Sequence, residues 1–138
     1  MGNQSQFHRN TGKIYAQETL PGDGCILGWV NNGSDVYNLD QSINPTTPVV
    51  GENFASYFFI SGDRMFVRAT GSGLANPRIY YFKYNNTSVQ WEQKYILIET
   101  ALTINDNYGA AIGYSEEANT LCIGASSFNY KWRFCFCL

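Results

Sequence analysis

Apolar positions fall in short runs separated by turn residues, with no sustained spacing of three or four. Residues 54–61, 64–69, 78–84 and 89–97 are each rich in aromatic and β-branched side chains, which predicts four strands. Gly62-Asp63 suits a tight hairpin turn, and so does Asn85-Asn86, because asparagine tolerates positive φ. The longer 70–77 connection carries Gly71, Gly73 and Pro77. Helical periodicity is absent, so essentially no helix is expected.

Sliding the chain against itself reveals a repeat. Residues 25–62 match 79–116 at an offset of 54. Asn31-Asn32-Gly33-Ser34 falls on Asn85-Asn86-Thr87-Ser88, Tyr37 on Trp91, Ile43 on Leu97, Asn53-Phe54 on Asn107-Tyr108, and Ile60 on Tyr114. Beyond the longer turn at Ser115-Glu116-Glu117-Ala118-Asn119 the offset becomes 56, and Arg68-Ala69 falls on Gly124-Ala125. The ends fit the same pattern: 10–16 is similar to 119–125, and 133–136 to 78–81. Four-stranded units of about 50 residues in tandem have the size of β-propeller blades. The expectation is an all-β chain of four-stranded antiparallel blades, forming an incomplete propeller or an oligomeric ring. The repeat divides it into a partial blade at 1–16, blades at 17–69 and 70–125, and a partial blade at 126–138.

Asn107-Tyr108-Gly109-Ala110-Ala111-Ile112, Ser115 and Leu121-Cys122-Ile123-Gly124-Ala125-Ser126 together resemble an FG-GAP repeat. Tyr108-Gly109 stands for Phe-Gly, and Gly124-Ala125-Ser126 for Gly-Ala-Pro. An eroded copy precedes it: Phe54-Ala55, Ser61-Gly62-Asp63 and Arg68-Ala69-Thr70. Trp91-Glu92-Gln93-Lys94 is similar to the tryptophan segment that often precedes the next Phe-Gly. The resemblance implies propeller blades like those of integrin alpha heads and several fungal lectins. The family's calcium loop has no match here. Asn105-Asp106-Asn107 comes nearest, with one carboxylate where a hard cation wants several, so no metal and no cofactor is expected.

Charged residues make up only 14% of the chain and aromatics 16%, which sets it apart from coiled coils and disordered segments. A net charge of −2 gives no electrostatic reason to expect nucleic acid. No apolar run is long enough for a membrane helix, and the first residues lack the apolar stretch of a signal peptide. Cys25, Cys122, Cys135 and Cys137 lack metal-binding spacing and read as small core side chains suited to a reducing compartment; the compartment itself is not legible. Gly2 and Cys135 each sit in a poor match to a lipidation signal.

No catalytic constellation emerges, and the chain reads as a non-enzyme. His8 reads as a solvated histidine, Gly71-Ser72-Gly73 as a loop and Glu116-Glu117 as a hairpin turn. Arg64, Arg68 and Arg78 are close in one repeat, and scattered surface charge explains them better than an anion site. The expected function is a scaffold or protein-interaction module whose partner is another protein or a second copy. Its junction would use Ile14, Tyr15, Phe134 and Phe136. The alternative is a lectin-like propeller that binds a glycan through Tyr37 and Trp91, exposed beside Asn31 and Asn85. Burial of those aromatics would favour the scaffold.

Overall fold

The computed structural model describes residues 4–18, 24–72, 76–126 and 133–138, together with the backbone but not the side chains of Arg133, Phe134 and Phe136. The described chain is all-β: eleven strands in three antiparallel sheets, and one short turn of 3-10 helix at Ile104–Asp106. The first sheet is a four-stranded meander of β1 (Ser5–His8), β2 (Lys13–Glu18), β3 (Cys25–Asn31) and β4 (Tyr37–Ile43). The second repeats that order with β5 (Tyr57–Ser61), β6 (Arg64–Ala69), β7 (Arg78–Asn85) and β8 (Gln90–Ile98). The third holds β9 (Tyr108–Ser115), β10 (Thr120–Ala125) and β11 (Arg133–Cys137).

The second sheet is covered on both faces, which explains its sequence. Met65, Phe66 and Val67 are successive residues of β6, and all three are fully buried. Met65, Val67, Tyr80, Phe82 and Tyr84 join Tyr15, Ile26 and Ile43 of the first sheet in one core. Phe66, Ile79 and Tyr81, from the other face, join Tyr108, Leu121 and Ile123 of the third in a second core. A strand buried on both sides loses its polar alternation, which is why the sequence there is a continuous apolar run.

Ladder pairing relates the sheets residue by residue. β3 and β4 pair Gly28 with Gln41 and then, across a bulge, Trp29 with Leu39. β7 and β8 pair Tyr81 with Tyr95 and then, across an equivalent bulge, Phe82 with Gln93. Trp29 therefore corresponds to Phe82 and Leu27 to Tyr80, an offset of 53, whereas the fourth strands keep the offset of 54. Between corresponding ladder pairs, Asn31 to Tyr37 is one residue shorter than Tyr84 to Trp91, and this absorbs the difference. The uniform offset read from the sequence thus slips by one in β3, and a one-residue slip exchanges the two faces of a strand. At the C-terminus, Phe136 stands opposite Leu121 as Phe82 stands opposite Met65, so Phe136 corresponds to Phe82 rather than to Tyr81.

The sheets also cut the chain at a different phase from the repeat. Residues 17–69 contain β3 and β4 of one sheet and β5 and β6 of the next. Residues 1–16 hold β1 and most of β2, which complete the first sheet instead of standing as a partial blade.

Candidate functional site: the junctions between sheets and their open faces

Where the first sheet meets the second, Gln4, just before β1, and Gln6, within it, act on the edge of β5. Gln4 donates to the Phe58 carbonyl at 2.8 Å and accepts from the Phe58 amide at 2.9 Å. Gln6 donates to the same carbonyl at 2.8 Å and accepts from the Ile60 amide at 2.9 Å. Side-chain amides here satisfy edge groups that would otherwise be open to pairing. Gln41 repeats the device on Trp91, donating to its carbonyl and accepting from its amide, both at 3.0 Å. Sequence reasoning passed over these glutamines. Their one signal was Gln4-x-Gln6, the strand period, on an otherwise unremarked segment.

His8 is buried, contrary to its reading as a solvated side chain. Its Nε2 lies 2.7 Å from the Gly62 carbonyl, which can only accept, so Nε2 carries the proton. Nδ1 accepts from the Thr11 hydroxyl at 2.8 Å. Burial, followed by the nearby Lys13 charge, outweighs the Gly62 hydrogen bond and holds its pKa below 6.5. Lys13 is also buried. Burial alone favours its neutral amine, but hydrogen bonds to Asp40 at 2.7 Å and Tyr84 at 3.3 Å prevail and raise its pKa. A third buried polar group, Glu52, accepts from the Tyr80 hydroxyl at 2.5 Å and from the Val49 amide at 3.3 Å, with Arg78 Nε 3.8 Å away. Burial and this carboxylate push the Tyr80 phenol well up.

The three arginines do not converge on one anion site. Arg64 lies over the Tyr114 ring, 4.8 Å from its centre, and donates to Tyr81. Arg68 donates to the Tyr108 carbonyl and to Asn107 Oδ1, tying the second sheet to the third. Arg78 faces Glu52 and the Asn76 carbonyl.

The residues named for sugar binding are split. Trp91 is 4% exposed, in the core between the first two sheets, while Tyr37 is 46% exposed. Their ladder positions correspond: Asn31 pairs with Tyr37 as Tyr84 pairs with Trp91. The two differ because the first sheet covers Trp91, whereas no described residue covers Tyr37. Asn31 and Asn85 use their carbonyl oxygens inside their own turns, accepting from Gly33 and Thr87, and the Asn85 amide nitrogen donates to Glu92 at 2.6 Å, so Asn85 is engaged at both ends. A cleft of about 270 Å³ opens between β4 and β8, bordered by Gln41, Ser42, Asn44, Thr46, Trp91 and Gln93.

Of the junction residues, Ile14 lies half-buried on the outer face of the first sheet. Tyr15 points the other way and is fully buried, its ring edge-on to Trp91. Phe134 and Phe136 lie on β11 opposite Ile123 and Leu121; their side chains fall outside the described residues, as does Gly2. The cysteines divide: Cys25 is buried and Cys122 half-buried, while Cys135 and Cys137 are exposed, unlike the core positions expected of all four.

The outer face of the first sheet carries Phe7, Ile14, Trp29 and Leu39, directly paired in one row across all four strands. Phe7 is 61% and Leu39 54% exposed. On the second sheet the positions of Ile14, Leu27 and Trp29 are Met65, Tyr80 and Phe82, and all three are in the core. The outer face of the third sheet has the opposite character. On its β9 and β10 strands Ala111, Gly113, Ser115, Cys122 and Gly124 give it small side chains.

These observations define an all-β protein of successively stacked antiparallel sheets. No protein-family model matches the chain, and neither the curated proteins nor the solved structures gave a match. No described helix is long and apolar enough to cross a membrane, and the described residues hold no cluster of metal-ligating side chains.

Proposed function

We propose that the chain is a non-enzymatic scaffold, or protein-interaction module, built of β-propeller-type blades of the FG-GAP kind. It acts by stacking its open sheet faces on further blades supplied by a second copy of the chain. The observation that carries this reading is the correspondence of Tyr37 to Trp91, and of Trp29 to Phe82: equivalent positions of two sheets, buried where a preceding sheet covers them and, among the described residues, uncovered on the first sheet. The outer face of the first sheet has the composition of a core and lacks a cover among the described residues. The outer face of the third sheet, with small side chains on β9 and β10, is the surface on which it stacks. Exposed apolar patches of this kind mark interaction sites, and contacts between two different faces build rings or open chains rather than symmetric pairs.

Two differently tagged copies, co-expressed and purified through one tag, test the proposal. Recovery of the second tag, abolished by Trp29→Glu in both copies, is the expected result. Purification of one tag alone, with the fold intact, would sink it.

A second reading has its own support. Tyr37 is exposed near Asn31, and the cleft between β4 and β8 is lined with amide side chains, which suits the stacking and hydrogen bonding that sugars require. On this reading the chain is a lectin-like propeller. A glycan array, with Tyr37→Ala as control, decides it: binding lost in the variant supports it, and an array without binders removes it.

A further inference from the structure

The third sheet carries a pair of thiols on the same outer face that the interaction reading offers to a second copy. Cys122 on β10 and Cys135 on β11 are directly opposed in the antiparallel register, and their sulfurs lie 2.9 Å apart. They face away from the core. Leu121 and Ile123, the neighbours of Cys122 along β10, are fully buried towards the second sheet, whereas Cys122 is half-buried and Cys135 exposed. Cys137, two residues on, stands opposite Thr120 and so lacks a sulfur across the ladder. Cys25 is remote and buried. Burial, followed by the neighbouring Glu18 carboxylate to which it donates at 3.4 Å, pushes its thiol up and away from reactivity.

We propose that Cys122 and Cys135 form a redox-reactive thiol pair that closes to a cross-strand disulfide when it meets a small-molecule disulfide such as oxidised glutathione. Opposed residues of an antiparallel pair have Cα atoms about 4.5–5.5 Å apart, within the ~4.4–6.8 Å that a disulfide spans. The bond itself is about 2.05 Å long, so the sulfurs need to approach by less than an ångström and the strands need not slide. In the first step one cysteine thiolate attacks a sulfur of the small disulfide, forming a mixed disulfide and releasing one small thiol. In the second the partner thiolate attacks the protein-side sulfur and releases the other. The protein loses two protons and two electrons, and the small disulfide gains them as two thiols. The pair therefore takes oxidised low-molecular-weight disulfides as its co-reactant.

The consequence falls on β11. Among the described residues this strand joins its sheet through β10 alone. Edge elements held only by exposed hydrogen bonds open most readily. The disulfide converts that edge into a covalently fastened one. The inference rests on the pairing of β10 with β11 and not on the interaction reading; because a second copy stacked on this outer face would cover the pair, the test uses protein dilute enough to be a single chain.

Oxidised glutathione added to the reduced, folded, full-length protein tests it, read by intact mass and by non-reducing peptide mapping. The expected result is a loss in mass of two hydrogens, a peptide linking residues 122 and 135, and slower amide hydrogen exchange in β11. Cys137→Ser leaves all three unchanged, and Cys122→Ser and Cys135→Ser fail to lose the two hydrogens. A wild-type protein that stops at a glutathione adduct, links Cys137 instead, or links between copies would overturn the proposal. The mapping is done on the wild type, so the outcome does not depend on how well the variants fold.

Discussion

Asn53 and Asn107 both adopt left-handed backbone conformations, at φ 53° and 56°, and the residues two further on, Ala55 and Gly109, do so as well, at φ 60° and 78°. Between them sit the buried rings of Phe54 and Tyr108. This turn geometry gives the Phe-Gly-like motif its physical meaning: the small residue follows the ring because the chain there must reverse with positive φ. Space adds a second demand at Gly109, where a Cβ would lie 2.6 Å from Ile79 Cδ1 and 3.1 Å from Arg68 Cγ. Gly109→Ala is therefore expected to cost about 1–3 kcal/mol in chemical denaturation, from strain and crowding together. Ala55→Gly should change stability by less than about 1 kcal/mol, since relief of its positive φ offsets the lost methyl burial. His8 supplies a pH prediction at the same scale. Its folded pKa is depressed, so the unfolded chain binds the proton more readily. The stability it contributes is full above pH 6.5 and is lost as the pH falls through its lower folded value. Melting temperatures followed downward from neutral pH should fall more steeply for the wild type than for His8→Gln, which cannot titrate. Parallel curves would show that this ring is not linked to folding.

Among the strands, β5, β6 and β7 of the second sheet were the most legible, because burial turns them into nearly continuous aromatic and aliphatic runs bounded by turn residues. β4 was not, since Tyr-Asn-Leu-Asp-Gln-Ser-Ile lies mostly exposed and alternates weakly. The repeat offset showed that sheets recur but not where each begins, because a tandem repeat has no intrinsic phase; the closure of β1 and β2 onto β3 and β4 was hidden for that reason. Candidate sites suffered from the same limit. Tyr37 and Trp91 match in sequence, and only the stacking order tells which is covered. That contrast is measurable. Trp91→Ala should cost about 3–5 kcal/mol, as for other buried tryptophans. Tyr37→Ala, in a chain held dilute enough to be alone, should fall within the about 0.5 kcal/mol typical of surface positions. Equal costs at the two positions would contradict the correspondence between the sheets.

At the scale of the whole molecule, three sheets stack in one direction and leave two unlike faces, one bulky and apolar, one with small side chains on β9 and β10. The internal junctions have bulky side chains on both sides: Tyr15, Ile26 and Ile43 meet Tyr80, Phe82 and Trp91, and Phe66, Ile79 and Tyr81 meet Tyr108, Leu121 and Ile123. Leu39→Glu places a charge on the first open face, and Ala111→Glu places one on the other. Each variant alone has lost one partner surface and should be a monomer of about 15.5 kDa by light scattering, whereas the wild type is expected to be larger. An equimolar mixture of the two variants brings one intact copy of each face together. The most direct test is the mass of that mixture: a species of twice the mass of either variant is the predicted result, and a mixture that stays at the single-chain mass, beside a wild type that is itself a stable monomer, would contradict the association of these faces.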